Sequence, residues 1–193
     1  MSNRETRQMR TASTQFYATR DEKTEKLSIE GYFAVFDSNY EIAQGMSESI
    51  AHGAFDNTIA DDIRALINHD TTLVLGRTKA GTLELRTDSH GLWGHIDINP
   101  NDTDAMNLYN RVQRGDVDQC SFGFDILNEE TEFREDGSVH WTIKEVKLYE
   151  VSPCTFPAYE ETNIAARTKE RNDLIKRRNQ AWKDKMLKKL KGE

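Results

Sequence analysis

The chain has 193 residues, of which 36% are hydrophobic and 31% are charged, and its formal net charge is −7. This length fits one domain with tails. Residues 168–193 contain ten Lys or Arg and four Asp or Glu, a net of +6, so residues 1–167 carry −13. Because phosphate contacts need clustered cations, the acidic body is not expected to bind nucleic acid.

No apolar run approaches the ~18 residues of a membrane-spanning helix, and Met1–Arg7 lacks the apolar stretch of a signal peptide. We therefore expect a cytoplasmic protein without a membrane partner. Cys120 and Cys154 do not make a disulfide framework, and no Cys/His group has zinc spacing. Neither a metal nor an organic cofactor is expected.

The first half of the chain predicts short strands. Residues 1–26 are polar and aperiodic, which predicts a flexible N-terminal arm. Apolar and polar residues alternate over 27–35, as in a strand. The next predicted elements are a loop over 37–49, a short helix over 53–62, a strand over 63–67 leading into Asn68-His69-Asp70, and short strands over 73–75, 82–86 and 92–98.

The best helix candidate of the body follows. Asp102-Thr103-Asp104 can cap it and Gly115 can end it. Its predicted buried face consists of Ala105, Leu108, Tyr109 and Val112. The pattern thus predicts a helix with one apolar face toward the core.

A β-hairpin is predicted next. A strand containing Phe122, Phe124 and Ile126 precedes a turn at 135–138, and the return strand covers 139–151. Apolar residues are odd-numbered in the first half of the return strand (Val139, Trp141, Ile143) and even-numbered in the second (Val146, Leu148). A β-bulge near Lys144-Glu145 would reconcile the halves. It would place Glu150 on the face of Val146 and Leu148.

The elements together predict an α+β, mainly β fold: an antiparallel β-barrel of short strands surrounded by helices. Ile175, Trp182, Met186 and Leu190 lie at helical spacing among Lys and Arg, which predicts a basic amphipathic helical tail. This tail could be a solvated helix, a docking segment for an acidic partner, or a piece removed on maturation. The predicted division is an arm over 1–26, a body over 27–167 and a tail over 168–193.

Three segments, 68–70, 120–124 and 148–152, supply a base, a hydroxyl and a carboxylate, which a serine hydrolase needs. The candidates are His69, Ser121 and Glu150; Asp70 or Asp125 could replace Glu150, and Ser152 and Cys120 are competing nucleophiles. No Gly-x-Ser-x-Gly elbow occurs, which disfavours an α/β-hydrolase. Surface or structural roles are expected for His52, His90, His95 and His140. Asp97, Asp102 and Asp104 could suggest a cation site, although helix capping explains the last two.

These segments belong to an ordered set of motifs. The others are Gly31–Phe36, Gly53-Ala54-Phe55, Leu75–Thr78 after His69-Asp70, and Thr155–Tyr159 after Glu150-Val151-Ser152. The set, over residues 27–167, resembles the capsid-maturation (prohead) proteases of tailed bacteriophages, a family similar in fold to the herpesvirus assemblin proteases. The resemblance implies a herpesvirus-protease-like barrel with Ser121 as nucleophile, His69 as general base and acid, and Glu150 orienting His69.

The resemblance also implies a function. It implies a serine endopeptidase inside the phage procapsid, in the host cytoplasm, that cleaves the scaffolding portion of the major capsid protein and its own termini. Autolysis would remove the basic tail. Assemblin-like enzymes form dimers through a helix, so a homodimer is expected here from the resemblance alone. Two alternatives stay open: a catalytically silent capsid-assembly module, and an unrelated small β-rich esterase.

Overall fold

The structure is a computed structural model that describes residues 8–12, 16–134, 136–156 and 161–191. Eleven strands and two helices lie in these parts of the chain. The strands are β1 (Gln8–Ala12), β2 (Phe16–Arg20), β3 (Leu27–Val35), β4 (Tyr40–Ala43), β5 (Met46–Ile50), β6 (Arg64–Ile67), β7 (Asp70–Arg77), β8 (Leu83–Thr87), β9 (Gly91–Ile98), β10 (Gln119–Phe133) and β11 (Val139–Cys154). The helices are α1 (Thr103–Arg114) and α2 (Glu161–Lys191).

The described strands form two sheets. The larger has the order β1-β10-β11-β5-β4, and β6 and β7 join it beside β11; the smaller has the order β2-β3-β9-β8. Strand β11 pairs antiparallel with β10 but parallel with β5 and β6. Its 16 residues are long enough to take one neighbour beside Val139–Ile143 and another beside Glu150-Val151. The mainly β prediction is confirmed, but the predicted antiparallel barrel is corrected to two sheets, one of them mixed.

Helix α1 follows its sequence prediction closely. The Asp102 carboxylate accepts hydrogen bonds from the backbone N–H groups of Asp104 and Ala105, and Gly115 ends the helix with φ 81°. The buried residues are the predicted face: Ala105, Leu108, Tyr109 and Val112. They join the main core with buried residues of both sheets. Cap, face and stop agree because all three depend on local sequence.

The prediction of a flexible arm over residues 1–26 is corrected for residues 8–12 and 16–20, which form β1 and β2; residues 1–7 and 13–15 lie outside the described residues. Strand β1 pairs antiparallel with β10, and β2 pairs antiparallel with β3. Apolar and polar residues do not alternate in either strand, so the period-2 pattern does not reveal them. Arg10 is nevertheless buried and forms an ion pair with Glu48 of β5, 38 residues away. A distant charge partner therefore stabilises what looks like a loose segment.

Two further local predictions are wrong. The predicted loop over 37–49 contains β4 and all but the last residue of β5. The predicted helix over 53–62 is a series of turns, with hydrogen bonds from Ala54 N–H to the Ala51 carbonyl and from Asp56 N–H to the Gly53 carbonyl. Gly53 has φ 82°, outside the right-handed helical region. The chain therefore turns at Gly53 instead of beginning a helix.

The hairpin of β10 and β11 contains the irregularity predicted at Lys144-Glu145. Asn128 pairs with Glu145, and the next pair joins Glu129 to Ile143. Lys144 is thus an extra residue on β11, as a β-bulge requires. The change from odd to even apolar positions is confirmed to reflect this bulge.

Helix α2 begins earlier than the tail predicted at 168. Arg167 is buried at its start, where its guanidinium contacts the carboxylates of Glu48 and Glu129 and lies over the Trp141 ring. Residues 176–190 are all exposed, including the apolar side chains of Trp182 and Leu190. Neither of the two described helices is long and apolar enough to cross a membrane.

Candidate active site

His69 lies in a two-residue turn between β6 and β7. Ile67 pairs with Asp70, which leaves Asn68 and His69 as the loop, with φ values of 49° and 63°. Two consecutive positive φ values are the mark of a type I′ hairpin turn, where Asn-Gly is the preferred sequence. His69 stands at the position that favours glycine, so the turn holds the imidazole in a strained backbone conformation.

Three hydrogen bonds attach this turn to the end of β11. The Asn68 N–H donates to the Pro153 carbonyl at 3.1 Å, and the Asn68 side-chain carbonyl accepts from the Thr155 N–H at 2.9 Å. The His69 N–H donates to Ser152 Oγ at 3.3 Å. These bonds offset the strain of the turn and fix the imidazole relative to β11.

Glu150 of β11 contacts both His69 and Ser152. It is 3% exposed, and its Oε1 lies 2.7 Å from His69 Nδ1. Its Oε2 accepts the Ser152 hydroxyl at 2.6 Å. An ionised carboxylate only accepts hydrogen bonds, so the imidazole carries a hydrogen on Nδ1 and leaves Nε2 as an acceptor.

A second bulge in β11 decides which way Glu150 faces. Gly123 pairs with Glu150 and Phe124 pairs with Leu148, so Tyr149 is an extra residue. Leu148 and Phe124 lie in the main core, while Glu150 lies on the opposite face, beside His69. The prediction that Glu150 shares a face with Leu148 is therefore wrong, because it included one bulge and the strand has two.

Ser121 of β10 lies on the same face as Glu150. It pairs across the strands with Ser152, and opposite residues of an antiparallel pair have Cβ atoms about 4.5–5.5 Å apart. On its other side, β10 pairs with β1, with Thr11 opposite Ser121. Ser121 is fully buried, and its Oγ has no hydrogen-bond partner among the described residues; the same holds for His69 Nε2.

The arrangement thus brings together the three predicted residues. The base and the carboxylate are hydrogen-bonded, and the hydroxyl lies one strand away, beside Ser152. No hydrogen bond joins Ser121 Oγ to His69 Nε2, and catalytic hydrogen bonds are often long before substrate binds. Ser121 Oγ and His69 Nε2, both without a described partner, thus lie next to the His69–Glu150 hydrogen bond, as expected for a nucleophile and its base before substrate binds.

The other candidate carboxylates contact different groups. Asp70 is exposed, and its Oδ1 accepts from the backbone N–H and hydroxyl of Thr72, which lower its pKa. Asp125 accepts the Tyr149 hydroxyl at 2.6 Å. Among the described carboxylates, Glu150 is the one hydrogen-bonded to His69.

The two competing nucleophiles, Ser152 and Cys120, contact other groups. The Ser152 hydroxyl proton is directed at Glu150. Cys120 is buried on the core side of β10, where its thiol contacts the Tyr32 carbonyl at 3.1 Å. Burial, and then the Glu150 charge, raise the pKa of Cys154 to about 11, so this thiol stays protonated at neutral pH. No disulfide joins the two cysteines.

The remaining histidines have local partners. His52 lies near Asp37, His90 packs edge-on against Tyr32, His95 lies between Glu30 and Asp97, and His140 lies between the hydroxyls of Ser47 and Ser49. Burial lowers the pKa of His140. No group of three or more His, Cys, Asp or Glu in the described part of the chain is placed to hold a metal ion. Asp102 and Asp104 belong to the cap of α1.

Sequence reasoning missed the supports of the site. Asn68 and Ser152 hold the turn, and the available signal was an Asn-initiated pair between two short strands. Arg77 lies at the end of β7 and binds both oxygens of Asp62 at 2.6 Å. This hydrogen bonding from Arg77 lowers the pKa of Asp62 to about 2, and Arg64 adds a further contact. The ion pairs connect the outer ends of the β6–β7 hairpin.

The chain is similar in sequence to known phage proteases. A family model described as the caudovirus prohead serine protease matches residues 15–177. The prohead protease of Enterobacteria phage HK97 is 31% identical over 141 residues, 71% of this chain and 58% of that relative, so the chain spans less than two thirds of its length. Among solved structures, the capsid assembly protease of bacteriophage T4 matches with a TM-score of 0.43 and 9% identity, over 76% of this chain and 98% of that one. Part of the last motif, residues 157–159, lies outside the described residues.

Proposed function

The chain belongs to the caudovirus prohead serine protease family, and we propose that it is a serine endopeptidase with Ser121, His69 and Glu150 as its catalytic triad. The observation that carries this assignment is the 2.7 Å hydrogen bond between His69 Nδ1 and Glu150 beside the buried Ser121 hydroxyl. A buried carboxylate fixes the tautomer of the histidine, and the histidine activates the serine.

The proposed reaction proceeds through an acyl-enzyme. Ser121 Oγ attacks the scissile carbonyl carbon while His69 Nε2 takes the hydroxyl proton and then gives it to the leaving amine. Water, deprotonated by the same nitrogen, hydrolyses the ester and restores Ser121. Glu150 stabilises the imidazolium in both steps. The reaction needs no metal or organic cofactor.

The proposed substrates are the scaffolding portion of the major capsid protein and the termini of the chain itself, cleaved inside the procapsid in the host cytoplasm. Support comes from membership of the prohead protease family and from the similarity to the HK97 prohead protease. The protease unit would comprise residues 27–167, with a chain arrangement similar to that of the herpesvirus proteases. We also propose that the protease forms a homodimer.

Intact-mass spectrometry of the chain co-expressed with its major capsid protein tests this function. Wild type should shorten both proteins, and Ser121→Ala should leave both at full length. Ser49→Ala is a matched control, because Ser49 is another buried serine of the same sheet, with a hydrogen bond to His140. Truncation that persists with Ser121→Ala would refute the nucleophile. Full-length products even with wild type in assembled shells would favour the catalytically silent module.

A separate part of the proposal concerns the C-terminal tail, residues 168–193. Its +6 charge and exposed apolar residues, such as Trp182 at 60% and Leu190 at 83% exposure, suit docking on an acidic scaffold surface, with later removal by autolysis. A variant ending at Arg167 keeps the buried anchor and should enter procapsids less well. Replacing Lys183, Lys185, Lys188 and Lys189 by Gln tests whether charge drives the docking. Unchanged incorporation of the truncated variant would refute it.

A further inference from the structure

Ser152 makes two hydrogen bonds that join the base and the carboxylate of the proposed triad. Its Oγ accepts from the His69 backbone N–H at 3.3 Å and donates its proton to Glu150 Oε2 at 2.6 Å. The side chain is fully buried, so water does not compete for either bond. One hydroxyl thus contacts the backbone of the base and the side chain of the carboxylate.

The two contacts meet two physical needs of the site. His69 has φ 63°, a conformation that a non-glycine residue keeps only when its surroundings hold it. The carboxylate of Glu150 is buried, and each of its oxygens needs a hydrogen-bond donor. His69 Nδ1 satisfies Oε1, and Ser152 satisfies Oε2. Without Ser152, the backbone of the turn and the second oxygen of Glu150 would both lose a partner.

The two serines of the site are also chemically distinct. Ser121 and Ser152 face each other across β10 and β11, yet only the Ser121 hydroxyl lacks a partner among the described residues. Ser152 has committed its proton to Glu150. An unbonded hydroxyl can be activated by His69 Nε2, whereas a hydroxyl that already donates to a carboxylate serves to hold it.

We propose that Ser152 is a positioning residue of the protease site, which holds Glu150 and the His69 turn in the geometry that keeps the imidazole hydrogen on Nδ1. This inference rests on the proposed function. Ser152 acts through its neighbours and does not itself touch the substrate. It is therefore expected to set the tautomer and orientation of His69.

The first experiment reads the His69 tautomer directly. Imidazole ¹⁵N chemical shifts are measured at pH 8 in the full chain carrying Ser121→Ala, which keeps it intact. We expect His69 to carry its hydrogen on Nδ1 in this parent, and to become a mixture of tautomers on adding Ser152→Ala. Ser152→Thr keeps the hydroxyl and should restore the parent spectrum, and Ser49→Ala should leave it unchanged. Identical His69 shifts with and without Ser152→Ala would overturn the inference.

The second experiment measures the rate of capsid-protein cleavage during co-expression, with Ser121 present. Ser152→Ala should slow cleavage by about 10–100-fold, as for loss of a residue that orients a catalytic group. Ser152→Thr should recover most of the rate. A wild-type rate for Ser152→Ala, or no recovery by a folded Ser152→Thr, would overturn the inference alone. If cleavage did not require Ser121, the proposed function would be overturned instead. The tautomer measurement would still be valid, because it does not depend on cleavage.

Discussion

Two glutamates on the larger sheet are almost completely buried, and their partners differ. Glu48 of β5 is 2% exposed and Glu150 of β11 is 3% exposed. The Glu48 carboxylate accepts from two guanidinium groups, Arg10 of β1 and Arg167 of α2. The Glu150 carboxylate accepts from an imidazole and a neutral hydroxyl. Burial alone therefore does not reveal what a carboxylate does.

The partners determine whether a proton can move. Burial by itself would raise the pKa of Glu48, but the charges and hydrogen bonds of Arg10 and then Arg167 outweigh it and lower that pKa. Arginine does not release its proton, so Glu48 is fixed as an anion. Glu150 lies against a histidine, the side chain that most often serves as a general acid and base. The first cluster holds segments together, whereas the second is the one we propose to transfer a proton during catalysis.

The largest expected effect is a loss of protease activity when Glu150, and not Glu48, loses its charge. Glu150→Gln should reduce capsid-protein cleavage by about 10⁴-fold, because an amide no longer fixes the histidine tautomer. Far-UV circular dichroism should show a folded chain. Cleavage is measured by intact-mass spectrometry over time. Glu145→Gln is the matched control, because Glu145 is another glutamate of β11 and its hydrogen bond to Asn57 is exposed. Near-wild-type cleavage by Glu150→Gln would show that another group orients His69.

The next effect separates them by stability. Glu48→Gln leaves the buried Arg10 without its counter-charge, whereas Arg167 keeps Glu129 and Glu170. The loss at Arg10 should reduce the free energy of unfolding by about 3–5 kcal/mol. Urea denaturation measures the loss. Replacing Glu48, Arg10 and Arg167 by Met removes these charges together and should recover most of it. A loss below about 1 kcal/mol for Glu48→Gln would mean that water or other groups already compensate both arginines.

The pH dependence sharpens the same contrast. The pKa of Glu48 is lower in the folded chain than its ordinary value of 4.5. Its stabilisation is therefore complete above about pH 4.5 and is lost as pH falls through the lower, folded pKa. Urea denaturation at pH 6 and pH 3 should show a steeper loss for wild type than for the triple Met variant. Equal slopes would contradict the lowered pKa of Glu48.

The same contrast explains how much the sequence could predict. Helix α1 was predicted in its cap, face and stop because each is local. Strands β1 and β5 were missed because burial of Arg10 and Glu48 depends on their meeting each other, 38 residues apart. The identity of a polar residue does not indicate whether a distant residue will form an ion pair with it. Periodicity detects apolar burial and is blind to buried charge.

The site was predictable in its residue types and less so in its geometry. His69 and Glu150 are 81 residues apart, and their pairing followed from the family resemblance, not from spacing. The second bulge had a visible signal, because Leu148 and Val151 are both core residues yet differ in parity. The turn at His69 was predicted as a strand end, because His69 occupies the position where a two-residue hairpin turn usually has glycine.

The smallest expected effect tests the strain at that turn. Both His69→Ala and His69→Gly remove the imidazole and should abolish cleavage, so activity cannot distinguish them. At φ 63°, however, alanine costs about 1 kcal/mol or more relative to glycine. Urea denaturation should therefore find the glycine variant more stable, the reverse of the order inside a strand. Equal stabilities, or a more stable alanine variant, would mean that the turn relaxes when the imidazole is gone. The strain would then belong to the His69–Glu150 contact and not to the β6–β7 hairpin itself.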